Sequence, residues 1–330
     1  MFLKLFKRNS PFDYPVLLIY TFLLHGILFF KPSLGLIQQH SFLNSLTNIV
    51  LWNNLPIKYV LVLSVFAVFV SAIIFNRLLT SLDFFQQKNM LPAFIYITLS
   101  GFFPSSAIIS NTLITFWVML FILFEIFKIL DMENVVQKVF FLSLLLGFFS
   151  FIYFPLGYYL PFIFISVPLL KSPKLRELLI IPVGYTIPFY LIGLYFFFIG
   201  RLDFFWPFLL SNFYLPEITL AVKFNLSSIS LFYLTFLIII AYLNFKFQAS
   251  NILVRFIRFY NVLFLYFLFT LAIVVFIPSD KYLSGYFFII PVSVYLSNFF
   301  CDKSYQKIKE IMFLLMLLAI VLSQWWFYIS

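Results

Sequence analysis

An all-α membrane protein of eleven spanning helices, with its N-terminus in the cytoplasm and its C-terminus outside, is the fold this sequence predicts. Three observations predict it. Hydrophobic residues make up 64% of the chain and charged residues only 10%, against about 25% charged in soluble domains. Apolar segments recur from one end to the other, and a bilayer core about 30 Å thick takes about 20 apolar residues per helix. Finally, the 21 Lys and Arg residues collect in alternate gaps between those segments, sixteen on the N-terminal side and five on the other. Cytoplasmic loops differ from outer loops in that way.

The first segment, about 14–30, follows Lys4, Lys7 and Arg8. No small-residue cleavage site comes after it, so an uncleaved first span is expected. Ten more follow at about 57–76, 91–104, 108–128, 139–154, 156–170, 179–200, 228–245, 261–278, 283–300 and 311–328. Basic gaps carry Arg77 and Lys88, Lys128 and Lys138, Lys171 to Arg176, Lys246 to Arg258, and Lys303 to Lys309. The gaps between them hold only Lys31, Lys58, Arg201, Lys223 and Lys281. Removing one span would invert every later loop, so the alternation checks the count. Several spans are short, which points to tilt or burial among neighbours. Trp325, Trp326 and Tyr328 then fall at the outer interface, where amphipathic rings are favoured.

The whole chain forms a single transmembrane domain, because no gap is long enough for a soluble one. Two gaps are longer than turns. Residues 32–56 mix Gln and Asn with Leu, Ile and Trp, and read as outer amphipathic helix. Residues 201–227 are interrupted by Pro207 and Pro216 and read as an outer, partly re-entrant segment. Seven prolines (Pro92, Pro104, Pro161, Pro168, Pro182, Pro188 and Pro291) lie in or near the spans. Such interruptions bend helices and are found where helices line a cavity. No Gly-x-x-x-Gly pair occurs, so close glycine-mediated helix crossing is not expected.

The net charge of +10 belongs to loop ends facing anionic lipid, and no nucleic-acid partner is expected. The phosphate loop, dinucleotide fingerprint, zincin motif and nucleophile elbow are all missing. Two histidines and one cysteine are too few for an ordinary metal site, so no metal and no cofactor is expected. Cys301, being alone, forms no internal disulfide.

Polar groups at membrane depth are costly and mark candidate sites. His25 lies in the outer half of the first span and is a candidate ligand contact. Glu125 and Lys128, three apart at the end of the fourth span, are expected to pair. Outside, the acids are Asp203, Glu217 and Asp280. Asp203 and Glu217 are the candidate catalytic bases. Arg201 is the candidate phosphate contact, with Asp280 and Lys281 closing the far side of a groove walled by Phe and Leu.

Several segments resemble an uncharacterised family of polytopic inner-membrane proteins of the Bacteroidota. They are the Asn-Arg pair at 76–77, LPAFIYITLSGFFPSS at 91–106, FIYFPLGYYLPFIF at 151–164, IPVGYTIPFYLIG at 181–193 and IIPVSVYLSNFF at 289–300. Members often carry the name β-carotene monooxygenase, a chemistry that needs a multi-histidine iron site; two histidines cannot build one. A more distant likeness, near 91–106 and KYLSGYFFIIP at 281–291, is to the type C glycosyltransferases. Those place a catalytic acid in the first outer loop, and residues 31–58 here contain none. The resemblances imply a bacterial inner-membrane, multi-pass protein of cell-envelope biogenesis. It would be a glycosyltransferase-like scaffold for a membrane lipid or polyprenyl-phosphate-linked substrate, with envelope proteins as further partners. A non-catalytic accessory subunit and a lipid transporter or flippase are the alternatives.

Overall fold

The computed structural model describes residues 6–7, 10–30, 57–85, 89–103, 111–213, 226–248, 253–276, 285–302 and 304–329. Among them there are helices and no strand. The helices are α1 Asp13–Leu24, α2 Ile27–Phe30, α3 Ile57–Ser81, α4 Leu91–Ser100, α5 Asn111–Lys128, α6 Val136–Ser150, α7 Leu160–Leu170, α8 Leu175–Phe198, α9 Leu202–Phe213, α10 Leu226–Gln248, α11 Val254–Phe276, α12 Ile289–Cys301 and α13 Gln306–Ile329. The predicted spans fall on helices, the first of them broken into α1 and α2 at His25 and Gly26. Five apolar stretches are long enough to cross a membrane: Lys58–Ser81, Leu113–Asp131, Leu175–Phe198, Val254–Val274 and Gln306–Trp325. Their length and composition mark a multi-pass membrane protein.

Two short helices occupy the centre. All ten residues of α4 are buried, and so are eleven of the thirteen in α12. They pack on each other, with α3 against α4 and α10 against α12. At ten residues α4 is about 15 Å long, half a bilayer core. Its far end at Gly101 to Phe103 meets the 3₁₀ turn Gly285–Phe288 that leads into α12, where a Cβ on Gly285 would touch the Phe103 ring at 2.6 Å.

Several hydroxyls inside this core are paired, as low polarity favours. Tyr96 and Tyr286 share a hydrogen bond of 3.1 Å, and Tyr159 and Thr270 one of 2.9 Å. Trp117 Nε1 donates to Ser71 Oγ at 2.7 Å. The aromatic surplus is therefore divided. Tyr96, Tyr159, Tyr286 and Phe116 are wholly buried, whereas Tyr190, Phe197 and Trp325 are exposed.

Charges cluster at the helix ends that the sequence assigns to one side. Glu125 and Lys128 pair at 2.8 Å, as their spacing predicts, and Lys138 of α6 joins the same carboxylate. Arg255 pairs with Asp131 at 2.8 Å. Lys171 Nζ donates to Met132 O at 2.7 Å, and Arg258 Nη1 to Leu170 O at 2.7 Å, capping carbonyls left free at helix ends. The Lys174 N–H donates to the Glu177 carboxylate at 3.0 Å and starts α8. Cys301 Sγ accepts from Asn89 Nδ2 at 3.0 Å.

One expectation is overturned: close glycine-mediated crossing does occur. A Cβ on Gly147 of α6 would lie 2.4 Å from Tyr185 O of α8. One on Gly184 of α8 would lie 2.2 Å from Ser143 Oγ and 2.8 Å from Phe140 O of α6. The two glycines lie on opposite helices of one seam, so no spacing within one helix reveals them. Helix α8 depends on this seam. Only 17% of its apolar stretch is buried, against 61% for α5, so its position at the rim is set chiefly by α6.

Candidate functional site

A groove of about 580 Å³ lies between the C-terminal half of α8 and α9. Local rules build it. Helix α8 ends in a Schellman turn: Gly200 N–H donates to Phe197 O and Arg201 N–H to Phe196 O, both at 3.0 Å. Gly200 has φ +72, the left-handed region that glycine enters without strain. The turn folds α9 back along α8. Phe205 stacks on Phe196 at 5.6 Å and rests where Gly193 has no Cβ, 3.1 Å from that position. Leu209 lies in the same cluster as Phe189 and Phe151. The two helices therefore run antiparallel, and their other faces leave the groove open.

Its lining is almost wholly apolar. Phe189, Tyr190, Leu194 and Phe197 come from α8, and Leu202, Phe205, Trp206 and Leu209 from α9. Tyr185 and Thr186 form the end farthest from the Gly200 turn. Glycine notches seat Tyr185: its carbonyl lies over Gly147, and a Cβ on Gly157 would meet its hydroxyl at 2.5 Å. A second cavity, about 50 Å³, is bounded by Leu99, Phe103, Ile238 and Phe288 and carries no charged group.

Arg201 stands in the turn after Gly200, directly before the lining residue Leu202. It is exposed, and its side chain has no ion-pair partner among the described residues. Asp203 is also exposed and lies in the first turn of α9, where a carboxylate complements the helix N-terminus. Arg201 and Asp203 thus flank Leu202 at the turn that ends the groove, and neither lines it. Glu217, Asp280 and Lys281 lie outside the described residues, as do the whole of 32–56 and the rest of the 201–227 segment beyond α9.

His25 is elsewhere and lines neither cavity. Wholly buried, it sits at the break between α1 and α2. Its Nδ1 donates to Thr21 O at 3.1 Å, because a carbonyl can only accept, and its Nε2 faces Ser100 Oγ at 3.3 Å. Beside it Gln324 of α13 donates to Leu24 O at 3.1 Å and Gly101 O at 2.8 Å. These bonds satisfy two helix ends that stop inside the protein, so His25 belongs to a structural knot of α1, α4 and α13.

Among the described residues, no three His, Cys, Asp or Glu side chains come together as a metal site. The groove's aromatic wall was not singled out by the sequence. The available signal was the glycine set at 147, 157, 184 and 193, residues that permit close approach. Fold and groove together define an all-helical protein of multi-pass membrane type with an apolar cleft between α8 and α9. No protein-family model, no curated protein and no solved structure matches the chain.

Proposed function

We propose that this is an eleven-span protein of the bacterial inner membrane, N-terminus inside, that handles a lipid or lipid-linked glycan for cell-envelope biogenesis at its outer face. One observation carries the reading: an aromatic groove of about 580 Å³ opens beside an exposed guanidinium that has no ion-pair partner among the described residues. A greasy channel ending in a planar cation suits an amphiphile with a phosphate head, since the guanidinium fork matches phosphate oxygens. Asp203, one residue beyond Leu202, is then the carboxylate nearest in sequence to the head, and Glu217 is the other candidate base of a glycosyltransferase-like reaction. The α9 helix is the re-entrant arm, too short at twelve residues to span.

A second reading, lipid transport, is favoured by the short central helices α4 and α12, which pack side by side and both stop inside the protein near Phe103 and Gly285. Interrupted helices of this kind carry binding sites in transporters.

The deciding experiment places Arg201→Ala and Asp203→Asn in the native host, with protein level and localisation checked. Loss of function in Arg201→Ala alone supports lipid handling, and loss in both supports catalysis. Wild-type behaviour of both, where deletion has a phenotype, removes these readings and leaves a non-catalytic accessory subunit.

A further inference from the structure

We infer that the groove between α8 and α9 matches the length of a hydrocarbon chain of about fourteen carbons, with its tip at Tyr185 and its phosphate head at Arg201. The ligand is then an acyl-chain lipid with an anionic head, rather than a much longer isoprenoid. This rests on the lipid-handling reading and deepens it.

Length is the first argument. From Phe197 to Tyr185 the lining follows twelve residues of continuous helix, about 18 Å at 1.5 Å per residue. An extended alkyl chain built of ~1.5 Å carbon–carbon bonds advances about 1.25 Å per carbon. About fourteen carbons therefore fill the groove. Lining is the second argument. Along that length the wall is Phe, Leu, Tyr and Trp, which suits methylenes and offers no charged group to a head.

The inner end is also fixed. Tyr185 cannot withdraw, because Gly147 and Gly157 already hold its carbonyl and hydroxyl in notches without a Cβ. The outer end has polarity and charge complementarity. Arg201 is exposed there, whereas the wall between the two ends is Phe, Leu, Tyr and Trp. A chain lying in this direction buries its methylenes along the wall and leaves its head in water, beside the cation.

Photo-crosslinking tests this as a ruler. The full chain in lipid nanodiscs is exposed to n-alkyl phosphates of 8, 14 and 20 carbons, each with a diazirine at the chain tip. Labelled residues are then mapped by mass spectrometry. The expected result is a label that moves along α8, near Tyr190 for the shortest probe and at Tyr185 or Thr186 for the 14-carbon probe. The 20-carbon probe labels Tyr185 poorly, and Tyr185→Ala restores labelling farther toward the α8 N-terminus. Arg201→Ala lowers the yield about threefold to fivefold, the upper range for an exposed ion pair.

Labels whose position ignores chain length, equal labelling of Tyr185 by the 14- and 20-carbon probes, or labels on residues 214–225 in place of the groove overturn the inference. If the ruler fails while Arg201→Ala still abolishes function in the host, chain selection is wrong and lipid handling stands. If the ruler works and Arg201→Ala is functionally silent, the groove binds lipid but the functional reading falls.

Discussion

Replacing Gly147 by alanine isolates the seam on which the groove is mounted. The new methyl carbon would stand 2.4 Å from the Tyr185 carbonyl oxygen and 3.2 Å from its carbon and Cα. Two effects oppose each other. Alanine is about 1 kcal/mol better than glycine in a helix interior. Overpacking a tight contact costs about 1–3 kcal/mol. The clash wins, because its partner is backbone, which has no rotamer through which to escape. Separating α6 from α8 by several tenths of an ångström then forfeits dispersion contacts along the crossing. No hydrophobic force from surrounding lipid replaces those contacts. With a backbone partner the clash sits in the upper part of its range, so the net expectation is a loss of about 1–2 kcal/mol, or about 1.5–3 °C in Tm for a chain of this length. Tryptophan-fluorescence melting in one detergent measures it. The same variant should also shift Tyr185 and weaken any lipid held in the groove. Stability equal to or above wild type would refute the close crossing, since only the helix-propensity gain would then remain.

Three further outcomes are expected. Glu125→Ala leaves Lys128 and Lys138 facing each other without their shared carboxylate; a lost buried pair costs about 3–5 kcal/mol, and the partial exposure of both lysines reduces this to about 1–2 kcal/mol, read as a lowered Tm. At Asp302, burial opposes ionisation, but hydrogen bonds from Ser304 and Lys309 outweigh it and pull the carboxyl down to about 2. Its folded pKa thus lies below the unfolded value of about 3.9, so its stabilisation is present above that value and is lost as pH falls toward 2; Asp302→Asn should flatten the melting profile in that window and lower stability at pH 7. An alkaline phosphatase fused after Ser330 should be active and a green fluorescent protein fused there dark, and the reverse would sink the odd number of spans.

Each predicted apolar segment in the described residues is a helix, for a simple reason. In an apolar medium every backbone amide must be satisfied within its own segment, and a helix does that locally. The Glu125–Lys128 pair was legible on the same ground, because three residues along a helix makes neighbours whatever surrounds them. What the sequence could not determine was which apolar face meets protein and which meets lipid, since both environments favour the same side chains. Phe205 and Phe198 look alike in the sequence, yet one is buried on Phe196 and the other is exposed. Lys138 as a second cation on Glu125, Gln324 as the cap of Leu24 and Gly101, and Gly147 as the counterpart of Gly184 are partners from distant parts of the chain. The groove depends on such a pairing too. Gly200 turns α9 back, but only the seam between α6 and α8 decides where the folded arm stands. Local periodicity determined the helices and their charged ends; contacts between helices, which no local pattern encodes, decided the site.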